Sequence, residues 1–419
     1  MTSQLVLGNG FGVAVASDSA MTLTGAEEPR TYETAEKIFP LPLPHRLAVL
    51  TSGAALLHGL PFDVLLKEWI RSLGDARESQ LRSVELYRES FLSWLRDNLD
   101  RWVTPERREA EALGYLEGQL EIVRERIETA IAEGPERDPV DTTLQFLRER
   151  NAWILDCSPL ESVSEELVER SFDRLWQEIE GQRRGLSNLV VDCFAGLPWS
   201  DEIDYEVQWL LKHTIEKSDR FPTGDQTELA FVGYGSTDLL PCVMTLTTSG
   251  AIEDHIWRQT PFVEPARPDG RGYGLIYSQA QDDQIRLILS GYDQALTTEL
   301  TTAVLARYSV DPWAEAIESE NASDEDSSAF DPAAFRSTMR EEQANVAWKM
   351  KLAPARATVA LLPLETLVDT ARSLVAVQTL SQTIRGRLPT VGGKIESATI
   401  TLNEGFQWHS RKDVSPPSS

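Results

Sequence analysis

The first segment of the chain is apolar at successive positions and does not alternate between polar and apolar residues. Across residues 5–16 almost every position is apolar or glycine, and bulky Phe11, Val13 and Val15 alternate with small residues. A strand with one wet face would alternate polar and apolar residues, so this pattern predicts a strand buried on both faces. Residues 46–55, RLAVLTSGAA, have the same character. Together they predict the inner layer of a sandwich whose sheets are covered by helices.

The hydrophobic spacing changes between about residues 60 and 227. In 84–102 and 113–131 apolar residues recur every three or four positions, the second time with a nearly heptad rhythm. Ser162, followed by Glu165, matches a capping box and begins a third amphipathic segment that runs to Ile179. The pattern predicts a block of packed helices with charged outer faces.

Strand character returns at 228–257, where two apolar runs flank the turn-rich sequence GYGSTD. Residues 274–308 are predicted to be mostly helical. The following acidic, serine-rich run has few large apolar side chains and cannot bury enough surface to fold, so a mobile loop is expected there. Beyond it the sequence predicts a helix at 364–384, a glycine turn, and a strand at SATITL.

These segments predict an α+β protein in which a sheet-forming core is interrupted twice. Two antiparallel sheets would stack between helical layers. The predicted divisions are core at 1–60, a helical insertion at 61–227, core at 228–312, an acidic mobile loop at 313–349, core at 350–410, and a disordered tail at 411–419.

Charge and composition limit the classes of binding partner and the cellular compartment that we expect for this protein. Asp and Glu number 66 against 40 Lys and Arg, a net charge of −26, which opposes binding to nucleic acid or to anionic lipid. No apolar run is long enough to span a bilayer and no secretory signal is visible, so we expect a cytoplasmic protein. Its three separated cysteines fit a reducing compartment. The scattered histidines lack an H-E-x-x-H motif, and neither a metal nor another cofactor is expected.

Three residues near the start of the chain form a candidate catalytic set. Removal of Met1, which aminopeptidases perform before a small residue, would give Thr2 a free amine. That amine has an ordinary pKa of about 7.7 to 8 and can accept the proton of the Thr2 hydroxyl near neutral pH. Lys37 would favour the anionic hydroxyl, and Asp18 would hold Lys37 charged and in place. Backbone N–H groups in the bend TSGAA would stabilise an oxyanion.

Each of these residues also has an ordinary structural explanation. Thr2 is a common second residue, Asp18 can simply end a strand, and Lys37 can be a solvated surface charge.

The strings GVAVASDSAMTL, TAEKIFPL and LAVLTSGAA resemble the opening of proteasome β subunits and of the related bacterial protease subunit that works with an unfoldase. These belong to the N-terminal-nucleophile (Ntn) hydrolase superfamily, in which an N-terminal threonine, an aspartate and a lysine form the catalytic set. Asp18 follows Thr2 by sixteen positions, as the family aspartate follows its threonine. Lys37 occupies the place of the family lysine. Ser52 and Gly53 match the Gly-Gly turn that supplies an oxyanion donor.

The resemblance covers about 1–60, 228–310 and 355–408. It implies a four-layer αββα sandwich and assembly into homo-oligomeric rings. The sequence departs from the family at Leu388 and Val391, which stand where an aspartate and a serine support the threonine amine; Thr390 is the only nearby hydroxyl. A further family serine, in a G-S-G segment, corresponds to Ser278 or Ser290.

Three functions are compatible with this sequence. The first is a proteasome-like threonine hydrolase, with Thr2 as nucleophile and base, that cleaves peptide bonds. The second is an inert proteasome-like scaffold whose helical insertion binds a partner protein. The third is the same fold acting on a small amide.

Overall fold

The computed structural model describes residues 2–23, 30–32, 35–74, 79–134, 136–155, 157, 159–161, 163–177, 185–217, 226–253, 255–265, 274–291, 297, 300, 332–384 and 391–412. The chain forms two compact units: Met1–Ala35, Pro265–Thr401 and Gln407–Ser419 make the first, and Glu36–Glu264 with Leu402–Phe406 make the second. The fold is α+β, with two large antiparallel sheets.

The strands are β1 (Ser3–Asn9), β2 (Gly12–Ser17), β3 (Met21–Leu23), β4 (Arg30–Tyr32), β5 (Ile38–Pro40), β6 (Arg46–Gly53), β7 (Leu56–Leu57), β8 (Leu60–Pro61), β9 (Thr227–Tyr234), β10 (Cys242–Ile252), β11 (His255–Arg258), β12 (Val263–Pro265), β13 (Leu275–Ala280), β14 (Glu396–Thr401) and β15 (Gly405–Ser410).

The helices are α1 (Phe62–Leu73), α2 (Val84–Leu99), α3 (Pro105–Glu133), α4 (Pro139–Leu155), α5 (Glu165–Trp176), α6 (Leu186–Cys193), α7 (Asp201–Glu216), α8 (Asp283–Ser290), α9 (Pro332–Ala347), a π-helical turn (Trp348–Leu352), α10 (Ala353–Val359) and α11 (Leu364–Ile384).

The sheet of the first unit has the strand order β13-β1-β2-β14-β15. Every residue of β1 and β2 is buried, which confirms the prediction of burial on both faces. The segment is nevertheless two strands and not one. Between them the Asn9 side-chain oxygen accepts a hydrogen bond from the Phe11 amide at 2.9 Å, an Asx turn that leaves Phe11 65% exposed.

Helices cover one face of this sheet. Leu5, Leu7, Ala14 and Ala16 share an apolar core with α8, α10 and α11. Helix α11 spans the predicted residues 364–384.

Two segments of the first unit differ from expectation. The start of the segment predicted as helix 274–308 is strand β13, whose sequence LIYSQA pairs along β1. Helix α9 forms within the segment predicted as a mobile loop, 313–349, because its sequence PAAFRSTMREEQANVA is rich in good helix formers. Residues 313–331 and the predicted tail from 413 onward lie outside the described residues.

The sheet of the second unit has the order β11-β10-β9-β6-β5, with β12 beside β10. Helices α1 and α2 pack on it through one continuous core, in which the Phe91 ring lies 5.2 Å from the Trp69 ring and 6.1 Å from the Phe231 ring. Six consecutive residues of β6, from Leu47 to Ser52, are buried, as the sequence predicts.

Helices α3 to α7 form a second apolar core, which also takes in Ile252 and Trp257 from strands of the same unit. The helical block therefore shares its packing with the second sheet. The capping residue of α5 is Ser164, whose hydroxyl accepts from the Leu167 amide at 3.2 Å. The predicted cap, Ser162, lies outside the described residues. In the described part of the chain no helix is both long enough and apolar enough to cross a membrane.

A buried histidine joins the β7–β8 hairpin to β10 and α3. His58 Nε2 accepts a hydrogen bond from the Ala251 amide at 2.9 Å, so the ring proton lies on Nδ1, which donates to Glu111 at 2.5 Å. Burial lowers the pKa of His58 below its usual 6.5; nearby Arg108 and Arg107 act in the same direction, and Glu111 opposes them.

Replacement of Phe91 by alanine should lower the free energy of unfolding by about 3–5 kcal/mol, because it removes a ring that fills the contact between the sheet and two helices. Leu86→Ala, on the exposed side of the same helix, should cost less than about 1 kcal/mol. Urea unfolding followed by circular dichroism measures both. Equal losses would contradict the described packing.

Protonation of His58 would place two donors, the ring and the Ala251 amide, face to face. The pKa of His58 is lower in the folded chain than in the unfolded chain. The neutral ring therefore stabilises the fold fully above about pH 6.5, the pKa in the unfolded chain. This contribution is lost as the pH falls through the pKa of the folded chain. Denaturant titrations from pH 7.5 to 5 should therefore show a decline that is shallower in His58→Gln. His409→Gln, an exposed control, should follow the wild-type slope.

Candidate functional site

Thr2 and Asp18 lie in the first unit, and Lys37, Ser52 and Gly53 lie in the second. Thr2 is only 4% exposed, directly before β1. Its carbonyl accepts a hydrogen bond from the Gln281 amide at 2.8 Å, which ties the start of the chain to the segment between β13 and α8. Residue 2 is therefore part of the folded sheet region and not a frayed terminus.

The Asp18 side chain, fully buried, organises the surroundings of residue 2. One carboxylate oxygen accepts from the Ser3 amide at 2.9 Å, and the other accepts from the amides of Ala20 at 3.2 Å and Gly392 at 3.0 Å. The Asp18 amide in turn donates to the Ser3 carbonyl at 3.2 Å. Asp18 therefore does more than end a strand, because it fixes the backbone immediately after Thr2.

The turn at 391–393 is joined to the same carboxylate. The Gly392 carbonyl accepts from the amides of Ser19 and Ala20, each at 3.1 Å. Val391, the residue at the position of a family serine, is buried beside this turn. The turn that the resemblance places at this position therefore does lie at Asp18, and its first residue is apolar. Leu388 and Thr390 lie outside the described residues.

A row of polar side chains crosses the first sheet at the same end. Gln279, Gln4, Ser17 and Glu396 stand opposite one another on β13, β1, β2 and β14, and all are buried. Gln4 Nε2 donates to Ser17 Oγ at 3.1 Å, and Ser17 Oγ donates to the Asp18 carbonyl at 2.9 Å. The sequence analysis missed this row, although polar residues within otherwise apolar strands were its visible signal.

The structure distinguishes the two proposed counterparts of the family G-S-G serine. Ser278, on β13, donates to the Asp282 carboxylate at 2.5 Å, and Asp282 is also paired with Arg286 at 2.7 Å. Ser290 instead donates to the Arg286 carbonyl on its own helix. Ser278 is therefore bonded to a buried carboxylate, and Asp282, the residue after Gln281, is a polar group that the sequence analysis did not single out.

In the second unit, Lys37 lies directly before β5, and its carbonyl accepts from the Thr51 amide at 3.0 Å. Its side chain is only 5% exposed. A solvated surface charge would not be buried in this way, since an ammonium group removed from water requires compensating polar groups. The surface-charge interpretation of Lys37 is therefore wrong.

Ser52 and Gly53 end strand β6, where the backbone turns sharply. Ser52 is buried, and Gly53 has φ +82°, a conformation that favours glycine. A Cβ atom at Gly53 would lie 2.0 Å from the Gln226 carbonyl oxygen. That carbonyl accepts from the Ala54 amide at 3.0 Å, so the bend TSGAA is held against the chain just before β9.

Among the described side chains, no group of three or more His, Cys, Asp and Glu residues is arranged to hold a metal ion. Comparisons of the chain with protein-family models and with curated proteins found no match. The likeness to proteasome β subunits therefore depends on the residues and motifs described above.

Gly53→Ala should destabilise the protein by more than about 2 kcal/mol, since the new methyl group meets both a positive φ and the Gln226 carbonyl. Gly196→Ala is a matched control, because Gly196 has φ +88° but open space around its Cβ position. It should cost only about 1 kcal/mol. Thermal unfolding midpoints would separate the two, and equal costs would mean that the close approach at Gly53 is absent.

Proposed function

We propose that the chain is an Ntn hydrolase of the proteasome type that uses Thr2 to cleave peptide or other amide bonds. The observation that carries the proposal is the buried Asp18 carboxylate, which accepts the amide of the residue that follows Thr2. An aspartate sixteen positions from a threonine nucleophile is the spacing of that superfamily, and here the Asp18 carboxylate binds the backbone immediately after Thr2.

The secondary structure supports the same proposal. Each sheet is antiparallel and has helices on one face, while the other face is also apolar and buried, as at Val15 and Ala398 of the first sheet and Ala48 and Val232 of the second. Such doubly buried antiparallel sheets are what a four-layer αββα sandwich requires. Self-association into a ring is part of this proposal.

In the proposed reaction the free α-amine of Thr2 takes the proton of the Thr2 hydroxyl, and the oxygen attacks the amide carbonyl carbon. The resemblance assigns the stabilisation of the tetrahedral oxyanion to backbone N–H groups at Ser52 and Gly53. When the C–N bond breaks, the leaving amine takes the proton from the α-amine. Water then hydrolyses the threonine ester and regenerates the hydroxyl.

Lys37 acts electrostatically in this scheme. In the family that the chain resembles, the ammonium of the lysine favours the anionic oxygen and lowers the proton affinity of the amine, and the aspartate orients the lysine; the proposal gives these roles to Lys37 and Asp18. Val391 provides no hydroxyl for the amine, so activity is expected to be lower than in a site with the full set of polar supports.

The alternative is an inert scaffold of the same fold whose helical block binds a partner protein. A Thr2 that never acquires a free amine would favour this alternative. A third candidate, hydrolysis of a small amide, uses the same chemistry with a different substrate.

The hydrolase proposal predicts that intact-mass measurement of the purified protein finds Thr2 as the first residue. It also predicts that a threonine-directed epoxyketone or β-lactone adds once, at Thr2. Thr2→Ala should abolish labelling, and Thr2→Ser, which keeps a hydroxyl and a removable Met1, should retain it. Peptide mapping locates the adduct.

A retained Met1, or equal inertness of wild type and Thr2→Ala toward the electrophile, peptides and small amides, would reject the hydrolase. Labelling of Thr2 with turnover of small amides but not peptides would identify the third candidate. Circular dichroism of each variant excludes loss of folding as the explanation.

A further inference from the structure

A surface groove lies between α5 and α7 in the helical block. It encloses about 610 Å³ and is lined by side chains of both helices. Its floor is apolar, formed by buried Val168 and Phe172, and Tyr205 stands at its rim with 64% of its surface exposed. A groove of this size with an apolar floor is within the range of ligand-binding sites.

The charges around the groove are strongly unbalanced. Glu165, Glu169 and Asp173 are spaced four residues apart, so their carboxylates form a line along one face of α5. Glu216 adds a fourth carboxylate and is hydrogen-bonded to His213. Like charges at this helical spacing destabilise a helix, and a bound cation relieves the repulsion.

The middle carboxylate of the line is neutralised, since Lys212 of α7 pairs with Glu169. Neither Glu165 nor Asp173 has an ion-pair partner among the residues that the structure describes. Two helical turns separate these outer carboxylates, a distance of about 12 Å along the axis. In an extended peptide, side chains four residues apart lie on one face and are separated by about 13 Å.

An aromatic side chain in the groove also favours a cationic ligand. Trp209 is half-buried in the groove, and its ring centroid lies 3.8 Å from that of His213. An indole face beside carboxylates favours arginine, whose planar guanidinium stacks on aromatic rings while its N–H groups reach a carboxylate. The aliphatic part of the arginine side chain fits the apolar floor.

We infer that this groove binds an extended basic segment of a partner protein, with two arginines four positions apart that pair with Glu165 and Asp173. The inference goes beyond the hydrolase proposal and does not depend on Thr2. It assigns the helical block a recognition role toward cationic chains, in agreement with the strongly acidic character of the whole protein.

Fluorescence anisotropy with a short labelled peptide carrying two arginines four positions apart tests the inference on the full chain. The double variant Glu165→Gln with Asp173→Asn should weaken binding about tenfold, since each exposed charge pair contributes up to about 1 kcal/mol. The matched control, Glu117→Gln with Glu125→Gln, removes the same charge at the same spacing from the exposed face of α3 and should change binding less than about twofold.

A second pair of variants tests the aromatic part. Trp209→Ala should weaken binding several-fold, Trp209→Phe less, and Trp153→Ala on α4 not at all. A peptide isomer with adjacent arginines should bind more weakly than the spaced peptide. Equal losses in both double variants, equal affinity for the two isomers, or no binding by folded wild type would overturn the inference.

Discussion

The buried carboxylate of Asp18 accepts the hydrogen bonds on which the candidate site depends. It accepts amides from the start of β1, from the loop after β2 and from the turn before β14. Hydrogen bonds to an ionised acceptor are stronger than neutral ones, and a buried carboxylate without them would be costly. The three amides that stabilise the carboxylate are therefore also held by it, and this fixes three distant parts of the backbone around residue 2.

The apolar architecture around this site follows directly from the pattern of side chains. Segments without alternation, such as 5–16 and 46–55, form strands buried on both faces, and helix α11 has the predicted bounds. The helical spacing of 84–102 and 113–131 likewise became α2 and α3. These features depend on local periodicity, which a single sequence contains.

The remaining features depend on contacts between distant residues. The connection of Gly392 to Asp18, the polar row from Gln279 to Glu396, and the tie between Thr2 and Gln281 are defined only when strands from opposite ends of the chain pair. Strand β13 was mistaken for helix because six residues are too few to display a period clearly. The Asx turn at Asn9 divided a predicted single strand because one side-chain hydrogen bond outweighed the apolar run.

The order of strands β13-β1-β2-β14 has a consequence for biosynthesis. The β1–β2 hairpin is synthesised long before its two neighbouring strands, which begin at Leu275 and Glu396. Until those strands are made, the nascent chain carries an apolar hairpin with both edges unpaired. The carboxylate of Asp18 likewise lacks the amide of Gly392 until then, so the surroundings of residue 2 form only after β14 has been synthesised.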